Sequence, residues 1–169
     1  MQINKIELKN ISHYARGSEE TPCYNATVYV NGKKAIEVGN DGHGGMDRQD
    51  AWHEKGFDLK EINDWCIKTF GQKSFTYQSD GKEEVCTYDF DLEQFCHDEL
   101  YKWLDSKLLK KDMNKKYLFV ENKELFAYAR KNKDQDVSFK TFFYEKHPSA
   151  KCLNFMSFDD ALTLYKESA

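Results

Sequence analysis

Apolar and polar positions alternate through much of the N-terminal third of the chain. In QINKIELKNI the apolar residues Ile3, Ile6 and Leu8 alternate imperfectly, which predicts an opening strand, and the polar run ARGSEETP predicts a loop after it. YNATVYV and KKAIEV, joined by Asn31-Gly32, form the clearest local pattern: two strand-prone runs around a dipeptide that accepts positive φ at both turn positions. Tyr24, Ala26, Val28 and Val30 then share one face. The period changes in FDLKEINDWCIKTFG, where Leu59, Ile62, Trp65, Cys66 and Phe70 have helical spacing, Asp58 and Glu61 have cap spacing, and Gly71 is the terminator. SFTYQ and EEVCTY flank Ser79-Asp80-Gly81 and predict a second hairpin. A longer helix from Asp91 carries Leu92, Phe95, Cys96, Leu100, Trp103, Leu104 and Leu108 as one stripe, read as core packing. KKYLFVENKELFAYARK predicts a third hairpin turning at Asn122-Lys123, VSFKTFFYEK a further strand, and Ser157 with Asp160 a cap for a last helix that buries Phe158, Ala161, Leu162 and Tyr165.

Three hairpins interrupted by about three helices predict an α+β fold, with a largely antiparallel sheet. No Pro- or Ser-rich linker divides the sequence, so 1–169 reads as a single domain. The lysine-rich end of the long helix places an alternative subdomain boundary near residue 113.

Composition narrows the class. With 40% hydrophobic, 32% charged and 15% aromatic residues, the chain is globular rather than disordered, and rings supply much of its core. No run of about 18 apolar residues occurs, and MQINKIELKN lacks the basic and apolar regions of a signal peptide. A soluble cytosolic protein without membrane partners is expected. Cys23, Cys66, Cys86, Cys96 and Cys152 are an odd number without a CxxC pair, which predicts free thiols. The net charge of −4 gives no general attraction to phosphate backbones. The basic run KLLKKDMNKK reads better as the solvated end of a helix than as a nucleic-acid patch.

Candidate chemistry concentrates in VGNDGHGGMD, Val38 to Asp47, which holds four of the nine glycines. Gly39, Gly42, Gly44 and Gly45 could let backbone N–H groups converge on an anion, with His43 or Arg48 supplying charge. The string is neither a Walker A nor a Rossmann fingerprint, and Asp41 and Asp47 oppose an anion. Asp41, His43, Asp47 and His53 are candidate metal ligands, but the spacings of known zinc motifs are missing. His43 with an aspartate could form an oriented base, yet no nucleophile motif adjoins it. Asn40-Asp41-Gly42 is also ordinary turn chemistry, and a structural loop, with or without a partner contact, ranks first. Asn40, Asp41, Gly42, His43, Gly44, Gly45, Asp47 and Arg48 are therefore the candidate ligand- or partner-binding residues. No catalytic residue, metal or cofactor is assigned. His13, His97 and His147 read as surface or packing residues.

YNATVYVNGKKAIEVGNDGHGG resembles small uncharacterised proteins of bacteriophages and prophages, in which a hairpin runs into a similar Asn-Asp-Gly-His-Gly-Gly turn. LFVENKELFAYARK and LNFMSFDDALTLY are in the same manner. The resemblance implies phage origin and, with it, the host cytoplasm; it carries over no assigned activity and no residue role. Small phage accessory proteins often occupy a host protein or sequester a signalling nucleotide. The function expected is thus a phage-type accessory protein that inhibits or sequesters a host factor, in the setting of anti-defence. The alternative is a nucleotide-binding or nucleotide-processing protein that uses the Gly39 to Asp47 loop.

Overall fold

Three tight turns organise the strands, and each has positive φ at both central residues: Asn31 and Gly32 (50° and 80°), Asp80 and Gly81 (50° and 74°), Asn122 and Lys123 (52° and 69°). Turns of this hand match the twist of their flanking strands, so each closes an antiparallel hairpin. The computed structural model describes residues 2–130 and 135–168. Lys131, the last residue of the third predicted hairpin, lies outside the described residues. By its internal contacts the chain divides into two units, 1–100 and 101–169.

The first unit contains a four-stranded antiparallel sheet in sequence order, β1 (Ile6–His13), β2 (Tyr24–Val30), β3 (Lys33–Asn40) and β4 (Arg48–Ala51). Its register sets Ile6 opposite Val30, Leu8 opposite Val28, and Val28 opposite Ile36, which gathers these residues on one face. Tyr24, Ala26, Val28 and Val30 are all buried, as their alternation predicts. Strand β4 was not predicted. Its residues, RQDA, carry no strand signal, and they are extended because they pair with β3 from Ile36–Ala51 to Gly39–Arg48.

Helix α1 (Leu59–Phe70) begins where the Asp58 carboxylate accepts from the N–H groups of Lys60 (2.7 Å) and Glu61 (3.3 Å). It buries Ile62 and Cys66 one turn apart, and Gly71 closes it at φ 73°. A separate two-stranded sheet follows, β5 (Gln72–Ser79) and β6 (Lys82–Asp89), most of whose residues are exposed. Helix α2 (Leu92–Lys115) starts at Asp91, whose side chain accepts from the Gln94 N–H at 2.9 Å. Leu92, Cys96 and Leu100 lie buried along its first turns.

The second unit begins within α2 and adds β7 (Lys116–Glu121), β8 (Glu124–Ala129), α3 (Asp136–Lys146), β9 (Lys151–Cys152) and α4 (Phe158–Ser168), with strand order β8-β7-β9. Strand β7 is buried on both faces. Leu118 and Val120 pack with Leu109, Leu153, Ala161, Leu162 and Tyr165, while Tyr117 and Phe119 pack with Phe143, Ala150 and Cys152. Ser157 caps α4 as predicted: its hydroxyl donates to the Asp160 carboxylate (2.6 Å) and accepts from the Asp160 N–H (3.3 Å).

The α+β class and the antiparallel hairpins agree with the sequence, and two local expectations are corrected. Residues 137–146 belong to helix α3 rather than a strand. Phe139 and Phe143 sit one turn apart there, and Phe139 stacks on Tyr117 with ring centroids 3.7 Å apart, so the aromatics that mimic alternation form a helical face instead. Leu108 is 46% exposed, and its neighbour Leu109 is buried. Leu109 follows Leu100 by about two and a half turns, so the buried side of α2 changes between them and the single stripe becomes two short ones. All five cysteines are free, with Cys66, Cys96 and Cys152 buried. Among the described residues, no helix is long and apolar enough to cross a membrane.

Candidate functional site

The glycine-rich loop joins β3 to β4, and its glycines answer separate steric demands. At Gly39 a Cβ would lie 2.6 Å from the Tyr24 carbonyl oxygen, because β2 passes close by. At Gly42, where φ is 93°, it would lie 1.8 Å from the Gly17 carbonyl oxygen. Gly44 and Gly45 have φ of 85° and 79°, a region that side chains other than glycine enter at a cost.

Hydrogen bonds tie the loop to the segment before β2 and commit three of its backbone N–H groups. The Gly42 carbonyl accepts from the N–H groups of Glu19 (3.0 Å), Glu20 (2.9 Å) and Thr21 (3.4 Å). The Gly42 N–H donates to Asn40 Oδ1 (2.9 Å), that of His43 to Asp41 Oδ1 (3.2 Å), and that of Gly44 to Thr21 Oγ1 (3.2 Å). Thr21 in turn donates to Asn40 Oδ1 at 2.6 Å. Three N–H groups that an anion cradle needs therefore point at protein oxygens. His43 is exposed, with Nδ1 3.3 Å from Glu19 Oε2. Arg48 is also exposed and donates to Asn25 Oδ1 (3.2 Å) and Asp50 Oδ2 (2.9 Å). A cleft of about 520 Å³ lies beside the loop, lined by Cys23, Asn25, Asp41, Met46 and Arg48 among others.

Asp47 leaves the loop for the interior, where its side chain is only 1% exposed. The Tyr24 hydroxyl donates to Asp47 Oδ2, Asn40 Nδ2 donates to Oδ1 at 3.1 Å, and His97 Nε2 lies 3.3 Å from Oδ2. The Asp47 N–H donates to Glu93 Oε1 at 3.0 Å. Glu93 and His97 stand one turn apart at the start of α2, so both face the loop. Asp47, Glu93 and His97 offer ligand atoms that all lie within 4.8 Å of one another. Among the described residues this is the group with metal-holding geometry, and of the four candidate ligands read from the sequence it includes Asp47 alone.

The charges in this cluster are mutually set. Burial pushes the Asp47 carboxyl up, but hydrogen bonds from His97 and Tyr24 outweigh that and leave it below its usual 3.8. The hydrogen bond to Asp47 holds His97 above its usual 6.5, against the opposing effect of burial. Burial, then the Asp47 carboxylate, push the Tyr24 hydroxyl far upward, so it remains a proton donor. Stability gained through His97 is complete below its ordinary value of 6.5 and is lost as pH rises through the raised folded value. Stability gained through Asp47 is complete above 3.8 and is lost as pH falls through the lowered folded value. Denaturant titrations with a chelator present should therefore find the protein most stable relative to His97→Gln between about pH 4 and 6.5, with the gap closing at higher pH. A gap that stays constant into the alkaline range would show that the pair contributes no charge interaction.

Of the residues predicted for the site, Asn40, Asp41, Gly42, His43, Gly44 and Gly45 form one hydrogen-bonded loop with Arg48 on the cleft beside it, whereas Asp47 belongs to the buried cluster. Tyr24, Glu93 and His97 had no place in the predicted site. The Glu93-His97 spacing of four on a helix was the available signal, and nothing local ties it to Asp47. Compared with known proteins, the chain matches no family model, no curated protein and no solved structure.

Proposed function

We propose that this protein is a stoichiometric binding module that occupies another protein, the mode of action expected of a phage accessory protein that inhibits a host factor. The β5–β6 ribbon carries the reading. A two-stranded sheet by itself is marginal in water, and this one leaves much of its aromatic face exposed. Its register puts Phe75 opposite Cys86, Tyr77 opposite Glu84, and Lys73 opposite Tyr88, so Phe75, Tyr77 and Tyr88 share that face. Phe75 is 53% and Tyr77 43% exposed. A hollow of about 360 Å³ beside Phe75 and Tyr88 is edged by Asp89, Asp91 and Gln94. Aromatic walls with carboxylates at the rim suit an arginine or lysine of a partner surface, through cation–π contact and ion pairing.

The alternative, a nucleotide at the Gly39–Asp47 loop, has the cleft and Arg48 in its favour and the committed backbone donors against it. Native mass spectrometry of the protein purified from the cells that make it separates the two. We expect a protein partner at fixed stoichiometry that is lost in the double variant Phe75→Ser, Tyr88→Ser and kept in His43→Ala. A co-purifying nucleotide lost in Arg48→Ala would reverse the choice.

A further inference from the structure

We propose that Asp47, Glu93 and His97 form a site for a divalent transition-metal ion of the zinc, cobalt or manganese class, with at least one coordination position left open. Ligand atoms bound at about 2.1 Å to one ion sit roughly 3.0–3.5 Å apart when adjacent. His97 Nε2 and Asp47 Oδ2 are already 3.3 Å apart, and the whole set lies within 4.8 Å, so closing around an ion needs only small side-chain adjustments.

Three further features favour a cation over a purely structural contact. Two ligands come from one face of a helix at a spacing of four, and the third comes from a separate loop, so the ion would clamp that loop to α2. Both oxygens of the Asp47 carboxylate are fixed by hydrogen-bond donors outside the ligand set, Oδ2 by the Tyr24 hydroxyl and Oδ1 by Asn40 Nδ2, as outer donors orient metal-binding carboxylates. Among the described residues no lysine or arginine pairs with Asp47 or Glu93, so when an ion displaces the His97 proton the two carboxylates are left to balance its charge. The mixed oxygen and nitrogen donors select the zinc class over calcium or magnesium, which take oxygen alone. The His97 side chain is 27% exposed, which leaves an approach from solvent.

The test uses the full chain, stripped with chelator and titrated with Co²⁺ by absorption and with Zn²⁺ by calorimetry. We expect one equivalent of each to bind, Zn²⁺ to raise the melting temperature, and affinity to fall about tenfold or more in both Glu93→Gln and His97→Ala. Glu93→Gln keeps an acceptor for the Asp47 N–H, and circular dichroism checks that it folds. His43→Ala, on the exposed loop, should bind like the parent. The proposal is overturned if the parent binds no stoichiometric ion at about 100 µM, well above ordinary zinc affinities, or if both cluster variants bind unchanged. It is equally overturned if His43→Ala is the variant that loses the ion.

Discussion

Gly42→Ala should destabilise the first unit by about 3 kcal/mol or more, the largest effect expected of any change in the loop. The added Cβ would stand 1.8 Å from the Gly17 carbonyl oxygen, 2.9 Å from its carbon and 3.0 Å from Cys23 Cβ. Backbone rather than a movable side-chain tip blocks it. Residue 42 has little freedom to retreat, because its own carbonyl gathers the N–H groups of Glu19, Glu20 and Thr21. To these contacts is added the cost of a φ of 93° for an L-residue, itself about 1–2 kcal/mol. Gly45→Ala is the control. Its φ is 79° but nothing lies within 4 Å of the new Cβ, so only the conformational cost of about 1 kcal/mol applies. Urea titrations of the two variants beside the parent measure the difference, and equal losses would mean that the contact with Gly17 does not exist in solution.

Leu109→Ala should cost about 2–5 kcal/mol, while Leu108→Ala stays within about 0.5 kcal/mol of the parent. Leu109 has no exposed surface and lies among Leu118, Val120, Leu153, Ala161, Leu162 and Tyr165. Removing its side chain leaves a cavity lined by side chains from β7 and α4 that cannot all move inward together. Leu108, at 46% exposure, loses little by truncation. Thermal melts of this adjacent pair test where α2 changes its buried side. The opposite order of losses would restore the single stripe read from the sequence.

What could be read in advance was whatever is encoded within a few residues. Asn31-Gly32, Asp80-Gly81 and Asn122-Lys123 announce their hairpins because the turns need positive φ and those residues accept it. Asp58, Gly71 and Ser157 announce helix ends because capping is a short-range hydrogen bond. The misreadings share the opposite property. Arg48–Ala51 is a strand only because β3 lies beside it, and Phe139, Phe142 and Phe143 suit a strand or a helix until Tyr117 and Phe119 supply a surface. The same limit hid the buried cluster. The glycine-rich loop drew attention by composition, yet Asp47 meets partners from α2, with Glu93 46 residues away along the chain.

Strand β7 has a consequence for the fidelity of pairing in the second unit. It is hydrogen-bonded on one edge to β8 and on the other to β9, and its two faces carry unlike side chains: the rings of Tyr117 and Phe119 on one, the aliphatic Leu118 and Val120 on the other. A slip of one residue would turn every side chain through to the opposite face. The rings would then press into the space shaped around Leu109 and Leu153, and the aliphatic pair would leave gaps beside Phe143. Because neither space fits the other set, misregistered pairings are penalised on both faces at once, and one strand proofreads the alignment of its whole sheet.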